Sequence, residues 1–557
     1  MSMSIQQEIK RAIEYTTQGN LKKAEILYKK IVKANPENHI VLSAIGLYYL
    51  NLGQFKQAKK YLLKSYSIKQ IDATTEGLGL LHYHIKENDE ALKYFEKIID
   101  KTTNFDIIDK YINLLLEKKR FTEALKLAEK CKKLYPIKKE SMEKYVYCLI
   151  HVGKFKEALN ECLTLTKQYP KYSLGWIRLG LIYEMYFHDE VFAKTCYENA
   201  VKCGDKYGGY SNLLINASKT FNHVDALKYI KKLDNLKIRS DDLNFTKSVV
   251  YFKHREFMKA YKYYINRTSA DKEAQNYFKF KTLWDGKKYK DEILLVYSDQ
   301  GIGDCLMFSR YLPFLEKYFK QIKVLTRESI INLQKRSFKQ YGKIKFYSCN
   351  IKRTPTHDKS ILLSSLPYIL KMDIDDIPYS NGYLIEDTSA VDKYKKLINS
   401  DKFKVGICWE AGGIGWRELL NRTLNVSLFE PFFEVKNTQF YSLQVNPTMD
   451  NYKDYKNLID LGKTFKNFDD TAGALKNLDL LITVDTSVAH LAGALGIKTF
   501  MLLPYCPDWR WFDSNKTTEW YDSIKIFRQE NTKSWDDVID NIKIELKNWH
   551  NDYFGKI

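Results

Sequence analysis

The sequence predicts two fold classes in one chain: an all-α solenoid of repeated helical hairpins, then an α/β half of two doubly wound, Rossmann-like sheets with a cleft between them. Three observations carry this. Alanines recur with a period near 34 residues through the first half. Apolar, strand-like runs alternate with helical segments through the second. Three polar loops, Asp299 to Asp304, Glu410 to Arg422 and Asp485 to His490, follow such runs, and doubly wound sheets bind ligands beyond the carboxyl ends of their strands.

The repeat is the firmest element. Ala24, Ala58, Ala91, Ala124, Ala158, Ala193, Ala226 and Ala260 are separated by 34, 33, 33, 34, 35, 33 and 34 residues, and most precede an aromatic or apolar residue by four positions. A period near 34 belongs to the tetratricopeptide repeat, in which stacked pairs of antiparallel helices approach closely over small side chains. Pro36, Pro136 and Pro170 fall twelve residues after their alanines, where a second helix should stop. Gly19, Gly53 and Gly153 lie in the turn five residues before theirs, and Gly46, Gly79 and Gly180 sit on first helices where packing is tight. About eight repeats are expected over residues 1–270, offering a surface for an extended peptide or another protein. The many tyrosines and phenylalanines, 41 and 29, are explained as helix packing.

The α/β half opens with ILLVYS at 293–298, the turn DQGIGD, an amphipathic helix over CLMFSRYLPFLEKYF and the strand IKVLT. KVGICWE, QFYSLQV, DLLITVD, TFMLLP and SIKIFRQ continue the alternation, with an irregular stretch expected from about 350 to 402. The boundaries read from this texture are 271–400 for the first sheet domain and 401–557 for the second.

Composition bounds the function. The 557 residues are 45% hydrophobic and 28% charged, and no run reaches the roughly 18 apolar residues that a membrane helix needs. The start, MSMSIQQEIKRAIEY, lacks the apolar core of a secretory signal, so a cytoplasmic protein without a transmembrane segment is expected. Nine scattered cysteines without a C-x-x-C pair signal neither zinc nor a disulfide framework. The net charge of +21 raises a polyanionic partner, but the lysines alternate with glutamates as in LKKAEILYKKIVK. That pattern reads as a solvated surface, and no nucleic-acid partner is expected.

Two loops can be read in two ways from their residues. A helix beginning at Thr486 turns unpaired N–H groups and its positive dipole end toward whatever lies beyond DLLITVD, with Thr486 and Ser487 hydroxyls beside it and His490 one turn on. It is either a phosphate site or a simple cap with a buried, satisfied histidine. In GIGD, Gly301 and Gly303 permit close backbone approach or positive φ, and Asp304 is either a helix-capping carboxylate or a general base. The turn lacks the third glycine of the dinucleotide fingerprint and the Lys-Ser/Thr of a P-loop. Asp373 and Asp375 form the one D-x-D pair, in an acidic turn that reads poorly as a metal site; no metal is expected.

The set TLWDG, DQGIGDCLMFSRYLP, WEAGG with NRT downstream, SLQ, DLLITVDTSVAHLAGALG and LLPYCPDWRW resembles bacterial tetratricopeptide proteins with a C-terminal glycosyltransferase domain. That domain is similar to the heptosyltransferases of glycosyltransferase family nine, which have the GT-B fold, and more distantly to O-linked N-acetylglucosamine transferases. The resemblance implies Asp304 as the base for an acceptor hydroxyl. It implies Asp485, Thr486, Ser487 and His490 as the grip on the donor diphosphate, with Gly301, Gly303 and Gln444 on the nucleotide-sugar side. Arg422, with Arg417 as substitute, is the nearest match to the cation that neutralises the leaving group. Ser487 stands where heptosyltransferases have glycine, and their second-domain lysine has no counterpart in WEAGGIGWRELLNRT.

The expected function is an inverting, metal-independent glycosyltransferase that needs no cofactor. A nucleotide sugar is its donor, and Ser or Thr of a protein held by the repeats is its acceptor. The alternative is a tetratricopeptide scaffold whose glycosyltransferase-like half is degenerate.

Overall fold

The computed structural model describes residues 4–554 apart from 239, 266–281, 352, 413–421, 448–454, 513–515 and 532–533. Packing divides the chain into two compact units, Met1–Lys206 and Tyr207–Ile557. This division falls earlier than the change in sequence texture near residue 270.

The first unit is helical. Among the described residues it holds six antiparallel helix pairs, from Ile5–Thr17 with Leu21–Ala34 to Ser173–Ile182 with Glu190–Lys202. Two further pairs, Lys206–Lys219 with His223–Asn235 and Asp241–Lys253 with Phe257–Tyr264, lead into the second unit. All eight signature alanines are completely buried. The first-helix glycines make room for the residue four places after the alanine: a Cβ at Gly46 would meet Leu62 at 2.7 Å, and at Gly79 or Gly180 it would meet Phe95 or Tyr197 at 2.5 Å. The residue five places before every alanine is left-handed, with φ from 51° at His188 to 78° at Gly153. The longest alanine spacing, 35 residues, coincides with a π-helical turn over Tyr183–Phe187, a common way to absorb one extra residue.

The second unit carries two parallel sheets. The first contains β1 (Thr282–Leu283), β2 (Tyr289–Tyr297), β3 (Phe319–Thr326), β4 (Ile344–Ser348) and β5 (Lys359–Leu362), in the order β1-β5-β2-β3-β4. The second contains β6 (Phe403–Cys408), β7 (Thr438–Ser442), β8 (Leu458–Asp460), β9 (Leu480–Val484), β10 (Thr499–Leu503) and β11 (Ile524–Arg528), in the order β11-β10-β9-β6-β7-β8. All pairs are parallel, and β9 and β10 are buried along their whole length, as expected for strands covered on both faces. In each sheet the chain runs outward and then crosses back, so the order reverses between β2 and β5 and between β6 and β9.

Two sequence expectations need correction. The stretch from about 350 to 402 is not irregular throughout: it supplies β5 beside β2, and the helix Thr388–Leu397. The helix over CLMFSRYLPFLEKYF is broken into Ile302–Phe308 and a 3₁₀ segment, Ser309–Lys317, because Pro313 cannot donate to the α-helical ladder. One apolar cluster links Phe252, Phe257 and Tyr264 of the last helix pair with Trp509, Trp511 and Trp520, the helix Ile302–Phe308, and strands of both sheets. No helix among the described residues is long and apolar enough to cross a membrane.

Candidate functional site

Both order reversals leave their following loops at carboxyl strand ends. After β2, the Asp299 carboxylate accepts hydrogen bonds from Ser364 N at 3.1 Å and Ser364 Oγ at 2.6 Å, tying this turn to the one after β5. Gln300 then takes φ 69°, and the helix Ile302–Phe308 begins. After β9, Asp485 is buried and the helix Ser487–Ala494 begins, with the Thr486 hydroxyl accepting from Ala489 N at 3.3 Å as its cap. The two helices pack against each other. Gly303 lies so close to His490 that a Cβ there would sit 2.7 Å from Cδ2. The DQGIGD and DTSVAH motifs, far apart in the chain, therefore meet.

His490 is enclosed. Trp511 stacks on its ring at 5.1 Å, and Nδ1 lies 3.1 Å from the Tyr521 hydroxyl. Burial, then the positive charges of Arg510, Arg310 and Arg422, push its pKa down to about 3, so the imidazole is neutral. Burial holds the Tyr521 phenol far above its ordinary range, so it stays protonated and can donate to Nδ1.

Asp304 lies within the same cluster with both carboxylate oxygens engaged. Oδ2 accepts from Gly301 N at 3.3 Å, and Oδ1 accepts from Arg510 Nε at 2.7 Å and from Nη2. Burial raises the Asp304 carboxyl above the usual aspartate range, and Arg510 pulls against that shift. Arg510 also donates through Nη1 to Asp508 Oδ1 at 2.5 Å. Burial works against a charged Asp508, but Arg510 beside it prevails and holds its carboxyl below the ordinary range. Arg422 reaches Asp485 Oδ2 at 3.3 Å; burial raises the Asp485 carboxyl and Arg422 opposes it.

Other expected residues have different surroundings. Gln444 turns to backbone: Oε1 accepts from Trp409 N at 3.2 Å and Glu410 N at 2.9 Å, while Nε2 donates to Glu410 O at 3.2 Å. Its amide thus organises the loop after β6. Ser487 is half-buried on the first turn of its helix. Asp373 accepts from Ile374 N at 2.8 Å and caps the short 3₁₀ turn Ile374–Asp376, so its environment is that of a turn. Arg417 lies outside the described residues.

The residues that sequence reasoning passed over are Arg510, Asp508, Trp511, Tyr521 and Arg310. The signal for the first three was present: PDWRW follows the buried strand TFMLLP at its carboxyl end, where the same sheet rule applies. Arg310 is a buried cation fixed by backbone carbonyls, donating to Met307 O at 2.9 Å, Trp520 O at 2.8 Å and Pro378 O at 3.3 Å.

The family model for the tetratricopeptide repeat matches residues 41–72. The N-terminal half is a tetratricopeptide-repeat array. Over 289 residues the chain is 21% identical to protein FlbA of Caulobacter vibrioides, covering 48% of each protein. It spans about half the length of this curated relative. Among solved structures, a tetratricopeptide repeat protein from Parabacteroides merdae is 13% identical with a TM-score of 0.37, covering 44% of this chain and 98% of that one. TTC0263 of Thermus thermophilus is 16% identical with a TM-score of 0.30, covering 32% and 98%.

Proposed function

We propose that the sheet half is a GT-B glycosyltransferase that moves a sugar from a nucleotide sugar to a hydroxyl with inversion, and that the repeat array holds a protein acceptor modified on Ser or Thr. The observation that carries this reading is the meeting of Gly303 and His490, where the two motif helices adjoin at the carboxyl ends of both sheets. Burial, aided by three arginines that bear on that point, keeps the histidine neutral. A neutral imidazole, a helix N-terminus and buried guanidinium groups suit a diphosphate. The second sheet supports the reading, since its order, β8-β7-β6-β9-β10-β11, is that of doubly wound dinucleotide-binding sheets.

In the reaction so assigned, the acceptor oxygen forms a bond to the anomeric carbon as the bond from that carbon to the phosphate oxygen breaks. The electron pair leaves with the nucleoside diphosphate, and Asp304 takes the acceptor's proton. Fixed positive groups meet the charge that grows on the leaving diphosphate. The test is to incubate the full chain with a panel of nucleotide sugars and follow nucleoside diphosphate release. Turnover that is lost in Asp304→Asn supports the reading; neither binding nor turnover with any donor defeats it.

A second reading, a repeat scaffold with a non-catalytic sheet half, is favoured by one observation: both Asp304 oxygens are already engaged. It predicts partner capture that survives loss of Asp304 and His490 together with an absence of turnover.

A further inference from the structure

Resting on the nucleotide-sugar reading, we propose that Arg510 is the side chain that grips the donor diphosphate, and that in doing so it releases Asp304. The base then becomes available only after the donor is seated. Of the three arginines near His490, Arg310 is fixed by three backbone carbonyls and Arg422 is turned to Asp485. Arg510 is shared between two carboxylates, and it stands on the turn after β10, beside β9 and its helix.

The two carboxylates hold it differently. Asp508 is two residues away and also accepts from the Arg510 backbone N–H at 3.1 Å, so it accompanies the arginine wherever the side chain turns. Asp304 comes from 206 positions earlier and meets only the guanidinium. A phosphate oxygen competing for Nε and Nη2 therefore displaces Asp304 and leaves the Asp508 contact in place. Guanidinium prefers such two-pronged anions, and phosphate carries more charge than carboxylate.

Charge balance points the same way. Asp304, Asp485 and Asp508, with Asp299 behind them, stand among Arg310, Arg422 and Arg510, and the histidine adds no charge. A bound diphosphate adds negative charge to the cluster, which raises the proton affinity of the released Asp304. The acceptor hydroxyl then gives its proton to that carboxylate as its oxygen bonds to the sugar and the electron pair departs with the nucleoside diphosphate. Without donor, Asp304 stays clamped.

The experiment is calorimetric titration of the full chain with ADP, GDP, CDP and UDP, in the wild type, Asp304→Asn, Arg510→Gln and the double variant, with folding checked by tryptophan fluorescence. The interlock predicts that Asp304→Asn tightens the best nucleoside diphosphate by about threefold or more and that Arg510→Gln weakens it by tenfold or more. In the double variant the gain from Asp304→Asn should vanish, because it acts through the freed guanidinium and not through the general field. If Arg510→Gln does not fold, Arg510→Lys takes its place, with a loss of at least about threefold and the same vanishing gain. Binding in the wild type without tightening in Asp304→Asn, or a gain that persists without Arg510, overturns the interlock and leaves the nucleotide site standing. Absence of binding by all four diphosphates overturns both.

Discussion

Replacing Gly303 by alanine tests the contact on which the site depends. The added carbon would lie 2.7 Å from His490 Cδ2 and 3.4 Å from Nε2, roughly 1 Å inside the ordinary separation of carbon atoms. The imidazole has no easy retreat, since Trp511 covers its face and Tyr521 holds Nδ1. Forcing it aside costs the hydrogen bond, about 1 kcal/mol, and overpacking strain of about 1–3 kcal/mol. Alanine returns up to about 1 kcal/mol of helix propensity. Gly303→Ala should therefore destabilise the second unit by about 1–3 kcal/mol. Eight of the nine tryptophans lie beyond Lys206, so urea unfolding followed by fluorescence reports on that unit. The control is a mutant cycle: with His490→Ala the ring is gone, and the same methyl group should be neutral or mildly stabilising. A coupling of at least about 1 kcal/mol is expected between the two positions. An equal cost in both backgrounds would refute the reasoning.

Four further outcomes follow from the geometry. His490 has a pKa of about 3 in the folded chain against an ordinary 6.5, so below pH 6.5 the unfolded chain binds a proton that the folded chain refuses. Stability is intact above pH 6.5 and falls by about 1.4 kcal/mol per unit toward pH 3; in His490→Gln the pH dependence of unfolding should be weaker by one proton. In the array, Lys119 is left-handed at φ 60° where three of the other repeats have glycine, so Lys119→Gly should stabilise by about 1 kcal/mol. Gly53→Ala should cost about 1–2 kcal/mol from backbone strain alone, because nothing lies within 4 Å of the added carbon; thermal unfolding followed by helical circular dichroism measures both. Gln444→Ala leaves two buried N–H groups of the loop after β6 without their acceptor, and should cost about 2–4 kcal/mol by urea unfolding.

What could be read from the sequence follows the range of the interactions. The repeats were legible because close contacts fall within one hairpin, as of Gly46 with Leu62, Gly79 with Phe95 and Gly180 with Tyr197, so they recur at a fixed local period, and all eight alanines prove fully buried. Strands β2, β6, β9 and β10 were legible as unbroken apolar runs, while β5 was not: KSIL is four residues long and carries a lysine and a serine. The meeting of Gly303 with His490 was expected only as two loops obeying one sheet rule, and their closeness needed coordinates. Arg510 escaped notice because its meaning lies in Asp304, and no local pattern reports a partner that remote. Gln444 reads the same way from the sequence in either role, since an amide at a strand end looks alike whether it faces a ligand or its own backbone.

Phe252 stacks on Trp509 at 4.1 Å, and Phe257 lies against Phe512 and Trp520. A fragment started at residue 271 would retain those tryptophans but forfeit the rings that shelter them, and bare aromatic ground of that kind invites clumping. Scissors belong after Lys206, a place where the repeat rhythm itself gives no warning of a seam.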